Sequence, residues 1–194
     1  MRAVVVYESM YGNTHAIAHA IARGLGTPEE VTVVPVSEAG PTVLEGADLL
    51  VVGGPTHVHG MSRTSTRKAA VEAARKPGTE VILDPDAEGA DLRTWFSQLQ
   101  DFKGAAAAFD TRLHGAGFLT GRASRRIARL LHRHGFVLIV PPESFFVTKD
   151  GHLDRGEERR ASEWGRQLTS GAEAAAIAGL AGRTVSVGHN SSAS

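Results

Sequence analysis

The sequence predicts an α/β protein built on a parallel β-sheet with helices on both faces. Two observations predict this class. Short apolar runs recur along the chain without polar alternation, which is typical of strands buried on both faces of a parallel sheet. Amphipathic helical patterns lie between most of these runs, and strands that alternate with helices imply right-handed crossovers and a doubly wound sheet.

Five segments fit the strand pattern: Ala3–Tyr7, Val31–Val36, Leu49–Val52, Ala105–Phe109 and Val137–Val140. We expect "FFVTKDGHLD" to extend the fifth strand beyond the "PP" kink and to turn at Asp150–Gly151. The stretch "KPGTEVILDPDAEGAD" fits no element clearly. Its residues Glu80–Leu83 would suit a short edge strand, but a loop is the preferred interpretation.

Three helices are predicted by apolar spacing. The first has an apolar residue at every fourth position and polar residues on another face: Ile17, Ile21 and Leu25 against His15, His19 and Arg23. The second, "GRASRRIARLLHRHGF", has one apolar side and one arginine stripe: Ile127, Leu130 and Leu131 against Arg122, Arg125, Arg126, Arg129 and Arg133. The last is marked by Ala161, Trp164, Leu168 and Ala172. Asp154 and Glu157 have the spacing of a capping box at its start.

Composition and charge exclude several classes of function. The 194 residues suit one domain, expected over residues 1–180, followed by a disordered tail at 181–194. Acidic and basic residues balance at 21 each, so no bulk charge favours nucleic acid or a membrane as a partner. Cysteine is absent, which removes thiol catalysis and thiolate metal sites. No signal peptide or membrane-spanning run is evident, and a cytoplasmic location is expected.

Three segments rich in glycine and hydroxyl groups follow the first, third and fourth strands: "ESMYGNT", "GGPTHVHGMSR" and "DTRLHGAGFLTG". Ligands of open α/β sheets bind at these carboxyl ends. The helix that begins near Asn13 or Thr14 offers unpaired N–H groups, and Ser9 and Thr14 add hydroxyls, so the first segment suits a phosphate. Neither GxxxxGK[ST] nor GxGxxG is present, which favours a phosphate monoester; a simple helix cap at Thr14 is the alternative.

The three segments together resemble a known family. "SMYGNT" resembles the phosphate loop of flavodoxins, Ser/Thr-x-Thr/Tyr-Gly-Asn-Thr, at its usual place after the first strand. "GGPTHVHGMSR" resembles their second flavin loop, which often reads Gly-x-Pro-Thr, and "FDTRLHGAGF" lies where the third is expected. The resemblance covers most of the chain outside the tail. It implies a five-stranded sheet of order 2-1-3-4-5 and one noncovalently bound FMN.

The resemblance also implies three groups of FMN-binding residues. The phosphate would be held by Ser9, Met10, Tyr11, Gly12, Asn13 and Thr14. One side of the isoalloxazine ring would be flanked by Pro55, Thr56, His57, Val58, His59 and Gly60. The ring edge and ribityl chain would be contacted by Asp110, Thr111, Arg112 and Gly117. No residue is expected to be catalytic, because the flavin itself carries the redox chemistry.

The resemblance implies a protein that carries electrons, one at a time, between a flavin reductase and an acceptor protein. Such a carrier is expected to be a monomer. "PTHVHGMS" also resembles the Pro-Thr-x-x-x-Gly-x-Met pattern of FMN-dependent NAD(P)H:quinone reductases, which are multimers. A protoporphyrinogen oxidase of flavodoxin type is a further alternative in that class. A binding or regulatory module that kept the fold without the flavin is the alternative outside redox chemistry.

The remaining motifs have ordinary interpretations. His15 and His19 have a metal-ligand spacing, but no carboxylate is evident beside them, and a solvated helix face is favoured. "DPDAEGAD" imitates the start of a calcium loop, but the closing position is Trp95, so calcium binding is rejected. The arginine stripe is expected to be a solvated face, with docking of an acidic redox partner as the alternative. Trp95 and Phe96 are expected to anchor a short helix in the core.

Overall fold

The computed structural model describes residues 1–57, 60–61, 83–99, 104–115 and 121–179. The strands are β1 (Ala3–Tyr7), β2 (Val31–Pro35), β3 (Leu49–His57), β4 (Gly60–Met61), β5 (Ala105–Leu113), β6 (Val137–Leu138) and β7 (Glu143–Val147). The helices are α1 (Asn13–Leu25), α2 (Pro41–Leu44), α3 (Leu92–Gln98), α4 (Ala123–Arg133) and α5 (Glu157–Ile177), and Pro85–Glu88 form a 3-10 turn.

The sheet has the strand order β2-β1-β3-β5, and both β6 and β7 pair with β5. β6 pairs with the start of β5 and β7 with its end, so the two form one strand interrupted at Pro141 and Pro142. Proline has no N–H to donate to a ladder, which accounts for the break. The predicted order 2-1-3-4-5 is therefore confirmed, and so is the extension of the fifth strand past the prolines.

The helices cover the sheet on both faces, as the apolar strands predicted. All five residues of β1 are buried. Alternate residues of β1 enter two separate cores: Val5 packs with α1 and α5, while Val4 and Val6 pack with α3 and α4. Trp95 and Phe96 lie in the second core, as expected, and the Trp95 indole N–H donates to the Ala39 carbonyl at 2.7 Å.

The third and fourth predicted strands are longer than the sequence indicated. β3 continues from Val52 to His57, and β5 continues from Phe109 to Leu113. Gly53, Gly54 and Pro55 pair in register with residues 109–111, and β7 pairs with the other side of the same stretch. Because neighbours on both sides satisfy the backbone groups of β5, residues expected in loops remain in the sheet. β4 then folds back antiparallel on the end of β3 as a short hairpin.

The predicted capping box at the start of α5 is wrong. Gly156 is the N-cap residue, in a left-handed conformation with φ 87°, and no side chain caps the helix. The Glu157 carboxylate instead accepts a hydrogen bond from the Phe146 N–H at 2.7 Å. Asp154 lies two residues before the cap, and its carboxylate contacts His114 and the Arg155 N–H.

Two predictions on chain organisation remain open. The predicted disordered tail, residues 181–194, lies outside the described residues. So does the possible edge strand at Glu80–Leu83, except for Leu83. The described part of "KPGTEVILDPDAEGAD" contains the 3-10 turn and no strand. Within the described ranges, no helix has the length and apolarity that crossing a bilayer would require.

The close crossing of α1 and α5 yields a stability prediction. A Cβ on Gly24 would collide with the backbone carbonyl of Ser162, which cannot move without shifting α5. We expect Gly24→Ala to lower the free energy of unfolding by about 1–3 kcal/mol, measured by urea denaturation. Gly171→Ala is the matched control in α5, because the atoms nearest to its Cβ would be Ile139 side-chain atoms at 3.5 Å or more. Equal effects of the two substitutions would contradict the close crossing.

Candidate functional site

The ends of β1, β3 and β5 lie side by side in the sheet, and their polar residues contact each other directly. The hydroxyl groups of Thr14 and Thr111 are 2.7 Å apart in a buried contact between the first and third segments. Thr56 donates its hydroxyl to the Asp110 carboxylate at 3.0 Å, which joins the second and third segments. The structure therefore brings together all three segments that the sequence singled out, at one edge of the sheet.

The first segment forms a turn into the N-terminus of α1. Gly12 is the N-cap residue with φ 81°, a conformation that favours glycine, and its N–H donates to the Ser9 hydroxyl at 3.2 Å. No side chain caps α1, so the helix N-terminus keeps donors and a partial positive charge for an anion. Thr14 lies within the helix and its hydroxyl bonds to Thr111, so the alternative of a simple Thr14 cap is wrong.

The residues of this turn differ in exposure. The Ser9, Met10 and Thr14 side chains are buried, whereas Tyr11 is 40% exposed. The Met10 carbonyl accepts the Asp84 N–H at 2.9 Å, and the Asn13 side chain donates to the Gly151 carbonyl at 2.7 Å. The turn is thus held from two sides, which fixes its shape before any ligand binds.

Asp110 anchors the third segment to α4. Its side chain is fully buried, and Oδ2 accepts hydrogen bonds from Thr56 and, at 2.8 Å, from the Ser124 N–H. Thr56 in turn accepts the Ala123 N–H at 2.9 Å. A carboxylate at a helix N-terminus is stabilised by the helix dipole, so this network fixes the start of α4 to the strand ends. Oδ1 of Asp110 is buried without a partner among the described residues.

Arg112 lies on β5 and its side chain is buried. It donates to the carbonyls of Leu113 and Gly115 and lies 4.8 Å from the centre of the Phe146 ring. Burial lowers the pKa of Arg112, the Asp110 carboxylate opposes that shift, and Arg122 adds to it. The guanidinium remains a buried cation beside the carboxyl ends of the strands.

His114 follows on the same strand end and is tied to the start of α5. Its ring stacks on Phe146 with centroids 4.4 Å apart, and Nε2 lies 2.6 Å from the Asp154 carboxylate. The hydrogen bond to His114, followed by one from the Arg155 N–H, lowers the pKa of Asp154. This pair connects the end of β5 to the segment that leads into α5.

Two buried carboxylates at the site were not predicted. Glu8, directly after β1, accepts the Leu92 N–H at 2.9 Å and so caps the start of α3. Asp84 lies with its carboxylate 3.3 Å from Nδ1 of His15, which corrects the expectation that no carboxylate stands beside that histidine. The position of Glu8 at a strand end was a signal available in the sequence. No sequence signal pointed to the contact of Asp84 with His15, because the two residues are 69 positions apart in the chain.

The histidines of α1 form a stack against β1. The ring centroids of His15 and His19 are 4.7 Å apart, and His15 is 5.0 Å from Tyr7. Burial, then the neighbouring His15 and Arg23, lowers the pKa of His19. Among the described residues, no group of three or more histidine, aspartate or glutamate side chains is placed to hold a metal ion.

Some of the predicted contacts to the flavin ring are not tested by the structure. Val58, His59 and Gly117 lie outside the described residues. His57 and Gly60 are described as paired strand residues of the β3–β4 hairpin. Pro55 is half-buried and pairs in register with Thr111. Contact of these residues with a flavin ring stays a prediction.

The residues present fit the phosphate of FMN. The α1 N-terminus is free of side-chain caps, and Ser9 and Thr14 supply hydroxyls without any lysine. Gly12 leaves room beside the turn, because even a Cβ built there would meet only Asp84 Oδ2, at 4.0 Å. Asp84 brings negative charge near the turn, and its contact with His15 offsets that charge when the histidine is protonated.

Comparison with known proteins gives consistent results. The family model described as flavodoxin matches residues 5–124. A flavodoxin from the domain Archaea has 20% sequence identity and a TM-score of 0.60, with 89% of this chain and 99% of that chain covered. The flavodoxin, WrbA-like protein from Agrobacterium tumefaciens has 25% identity and a TM-score of 0.56, with coverage of 89% and 98%. Oxidised flavodoxin 1 from Bacillus cereus has 17% identity and a TM-score of 0.58, with coverage of 88% and 98%. No curated protein matches the chain in sequence.

The Asp154–His114 pair yields a pH prediction. Because the pKa of Asp154 is lower in the folded protein, the carboxylate stabilises the fold above the ordinary aspartate pKa of about 4. That stabilisation is lost as the pH falls through the lowered value. We expect Asp154→Asn to be less stable than the unsubstituted protein at neutral pH, with the difference shrinking below about pH 4, in urea unfolding at a series of pH values.

Asp150→Asn is the control for this prediction. Asp150 lies exposed on the neighbouring turn, and among the described contacts its carboxylate has no ion pair or hydrogen bond. A stability difference for Asp154→Asn that did not change with pH, or that Asp150→Asn reproduced, would contradict the role of the pair.

Proposed function

This chain belongs to the flavodoxin family, and we propose that it carries electrons one at a time between a flavin reductase and an acceptor protein. FMN is the cofactor of the family, and the site fits its phosphate. The observation that carries the proposal is the meeting of the three strand-end segments around the uncapped N-terminus of α1. A protein without cysteine suits a reducing compartment, and the cytoplasm is the proposed location.

Each part of the site has a distinct task in this proposal. The N–H groups at the start of α1 and the hydroxyls of Ser9 and Thr14 bind the phosphate. Asp110 and Thr56 hold the second and third segments at a fixed spacing, so the ring meets a rigid pocket edge. Bound FMN supplies the electron chemistry, while the surrounding residues set how readily it accepts electrons.

Charge near the flavin ring raises or lowers how readily the flavin accepts electrons. The Arg112 cation lies beside the strand ends, but the buried Asp110 and Glu8 carboxylates lie there too. Positive charge favours the reduced, more negative flavin, and negative charge opposes it. Arg112 therefore favours a less reducing flavin, and the two buried carboxylates oppose that effect.

The second candidate is an FMN-dependent NAD(P)H:quinone reductase, or a protoporphyrinogen oxidase of this fold. The observation that favours it is the β3–β4 hairpin at "PTHVHGM". In this hairpin Thr56 pairs with Met61 and His57 with Gly60, and Met61 is buried. A flavin-free module is the third candidate. The uncapped α1 N-terminus disfavours it, because a phosphate gives those donors a partner.

The phosphate turn yields a binding prediction. Thr14→Ala removes a hydroxyl that contacts Thr111 and that we propose donates to the phosphate. Hydrogen bonds to charged groups are worth about 1.5–3 kcal/mol, which corresponds to a rise in the Kd for FMN of about tenfold or more. The Kd is measured by the quenching of FMN fluorescence on titration with the apoprotein. Thr14→Ser keeps the hydroxyl and should retain most of the affinity. If Thr14→Ala bound FMN as tightly as Thr14→Ser, this hydroxyl would have no role in holding the phosphate.

Stepwise photoreduction of the holoprotein separates the two redox candidates. A carrier should take up its two electrons in resolved single steps and consume NAD(P)H only slowly in the absence of a reductase. A quinone reductase should turn over NAD(P)H steadily with a soluble quinone and should be a multimer on sizing. A colourless protein that ignores added FMN would contradict both candidates and leave the flavin-free module.

A further inference from the structure

The chain separates its charges although its totals balance. The 32 residues from 111 to 142 contain no aspartate or glutamate, yet they include six arginines and three histidines. The arginines are Arg112, Arg122, Arg125, Arg126, Arg129 and Arg133. Since the net charge of the whole chain is zero, this positive segment is compensated elsewhere in the protein.

Four of these arginines form one exposed surface on α4. Arg125, Arg126, Arg129 and Arg133 are all exposed, while Ile127 and Leu131 on the opposite side of the helix are fully buried. We call these four residues the α4 arginine face. Within the described part of the chain, none of their guanidinium groups forms an ion pair; Arg129 donates to the Arg125 carbonyl on the same helix.

Two exposed arginines outside α4, Arg159 of α5 and Arg23 of α1, behave differently. Arg159 has a carboxylate partner at Glu163, and Arg23 of α1 pairs with Glu158. Paired surface cations attract a partner protein weakly, because their own counter-charge cancels most of the field. The guanidinium groups of the α4 arginine face have no carboxylate partner among the described residues, so they keep their full field, and apart from Arg129 Nε their donors remain available.

The position of α4 places this face beside the FMN site. The Ala123 and Ser124 N–H groups donate to Thr56 and Asp110, which are two of the residues implied in binding the ring. The 11 residues of α4 extend about 16 Å from that point at 1.5 Å per residue. The face therefore starts at the site edge and extends away over a length that suits a small docking surface.

We propose that the α4 arginine face docks a redox partner protein with a carboxylate-rich surface, which rests on the proposed function of electron transfer. Arginine forks match carboxylates in two-point hydrogen bonds, and complementary charge speeds encounter and fixes orientation. Electron-transfer encounters are small and transient, so a short charged helix next to the cofactor provides enough surface. Nucleic acid is disfavoured, because the balancing carboxylates elsewhere on this neutral chain would repel an extended polyanion.

The test uses a reduced plant-type ferredoxin, an acidic one-electron donor, as the probe for the full-length FMN holoprotein. Each ferredoxin cluster gives up one electron, so two clusters are oxidised for each FMN fully reduced. In stopped flow, the second-order rate constant should fall steeply between about 20 mM and about 200 mM ionic strength. The triple substitution Arg125→Gln, Arg129→Gln and Arg133→Gln should lower the low-salt rate constant about tenfold or more and remove most of the salt dependence.

The matched control removes the same amount of charge elsewhere. Arg23→Gln, Arg159→Gln and Arg166→Gln remove three exposed cations from α1 and α5, which pack on the other face of the sheet from α4. This control variant should change the rate constant less than about threefold, since the lost charge lies away from the docking face. Equal losses in both triple variants would show an effect of net charge alone and overturn the proposal, as would an unchanged rate in the α4 variant.

Two further measurements keep the outcomes distinct. Photoreduction of each variant without ferredoxin tests the proposed function itself. A protein whose FMN cannot be photoreduced cannot carry electrons, whether or not its arginine face is intact. If every variant photoreduces normally and only the α4 variant reacts slowly with ferredoxin, the docking proposal is supported. A labelled 20-base-pair DNA duplex is titrated in parallel at about 150 mM salt. Tight duplex binding lost in the α4 variant would overturn protein docking in favour of nucleic acid.

Discussion

The architecture depends on the close packing of side chains against the backbone of β3 at Gly53 and Gly54. A Cβ on Gly53 would collide with the Phe109 ring, and one on Gly54 would lie 2.7 Å from a Leu92 methyl group. Phe109 belongs to the core under α1 and α5, whereas Leu92 belongs to the core under α3 and α4. Because these two adjacent positions have no side chains, the cores on both faces of the sheet pack closely against β3 where the site begins.

Buried carboxylates extend this constraint from packing to polar contacts. Glu8 accepts the first N–H of α3, and Asp110 accepts an N–H at the start of α4. Each carboxylate satisfies donors that a helix start leaves unpaired and is itself stabilised by the helix dipole. The helices on this face are therefore fixed to the carboxyl ends of β1 and β5, and the same contacts that orient the helices shape the site.

Charge distribution, more than total charge, distinguishes this protein's surface. Neutral totals would suggest an unremarkable surface, yet the acid-free stretch from 111 to 142 concentrates cations on α4. The buried part of that charge, Arg112, is stabilised locally by backbone carbonyls, an aromatic ring and the nearby Asp110. The exposed arginines of α4 have no carboxylate partner among the described residues, which separates the structural Arg112 from the arginines available to a partner protein.

Local sequence patterns predicted most of the strands, the helices α1, α4 and α5, and the three site segments: apolar runs, four-residue spacing, and "SMYGNT" after a buried strand. The sheet order was implied by the family resemblance, and α2 was not predicted. The ends of the strands and the acids that line the site depended on tertiary contacts. β5 continues to Leu113 because β7 pairs beside it, and Asp84 contacts His15 although the two are 69 positions apart in the chain. Such pairings depend on which distant segments become neighbours, and the spacing of residues along the chain does not encode them.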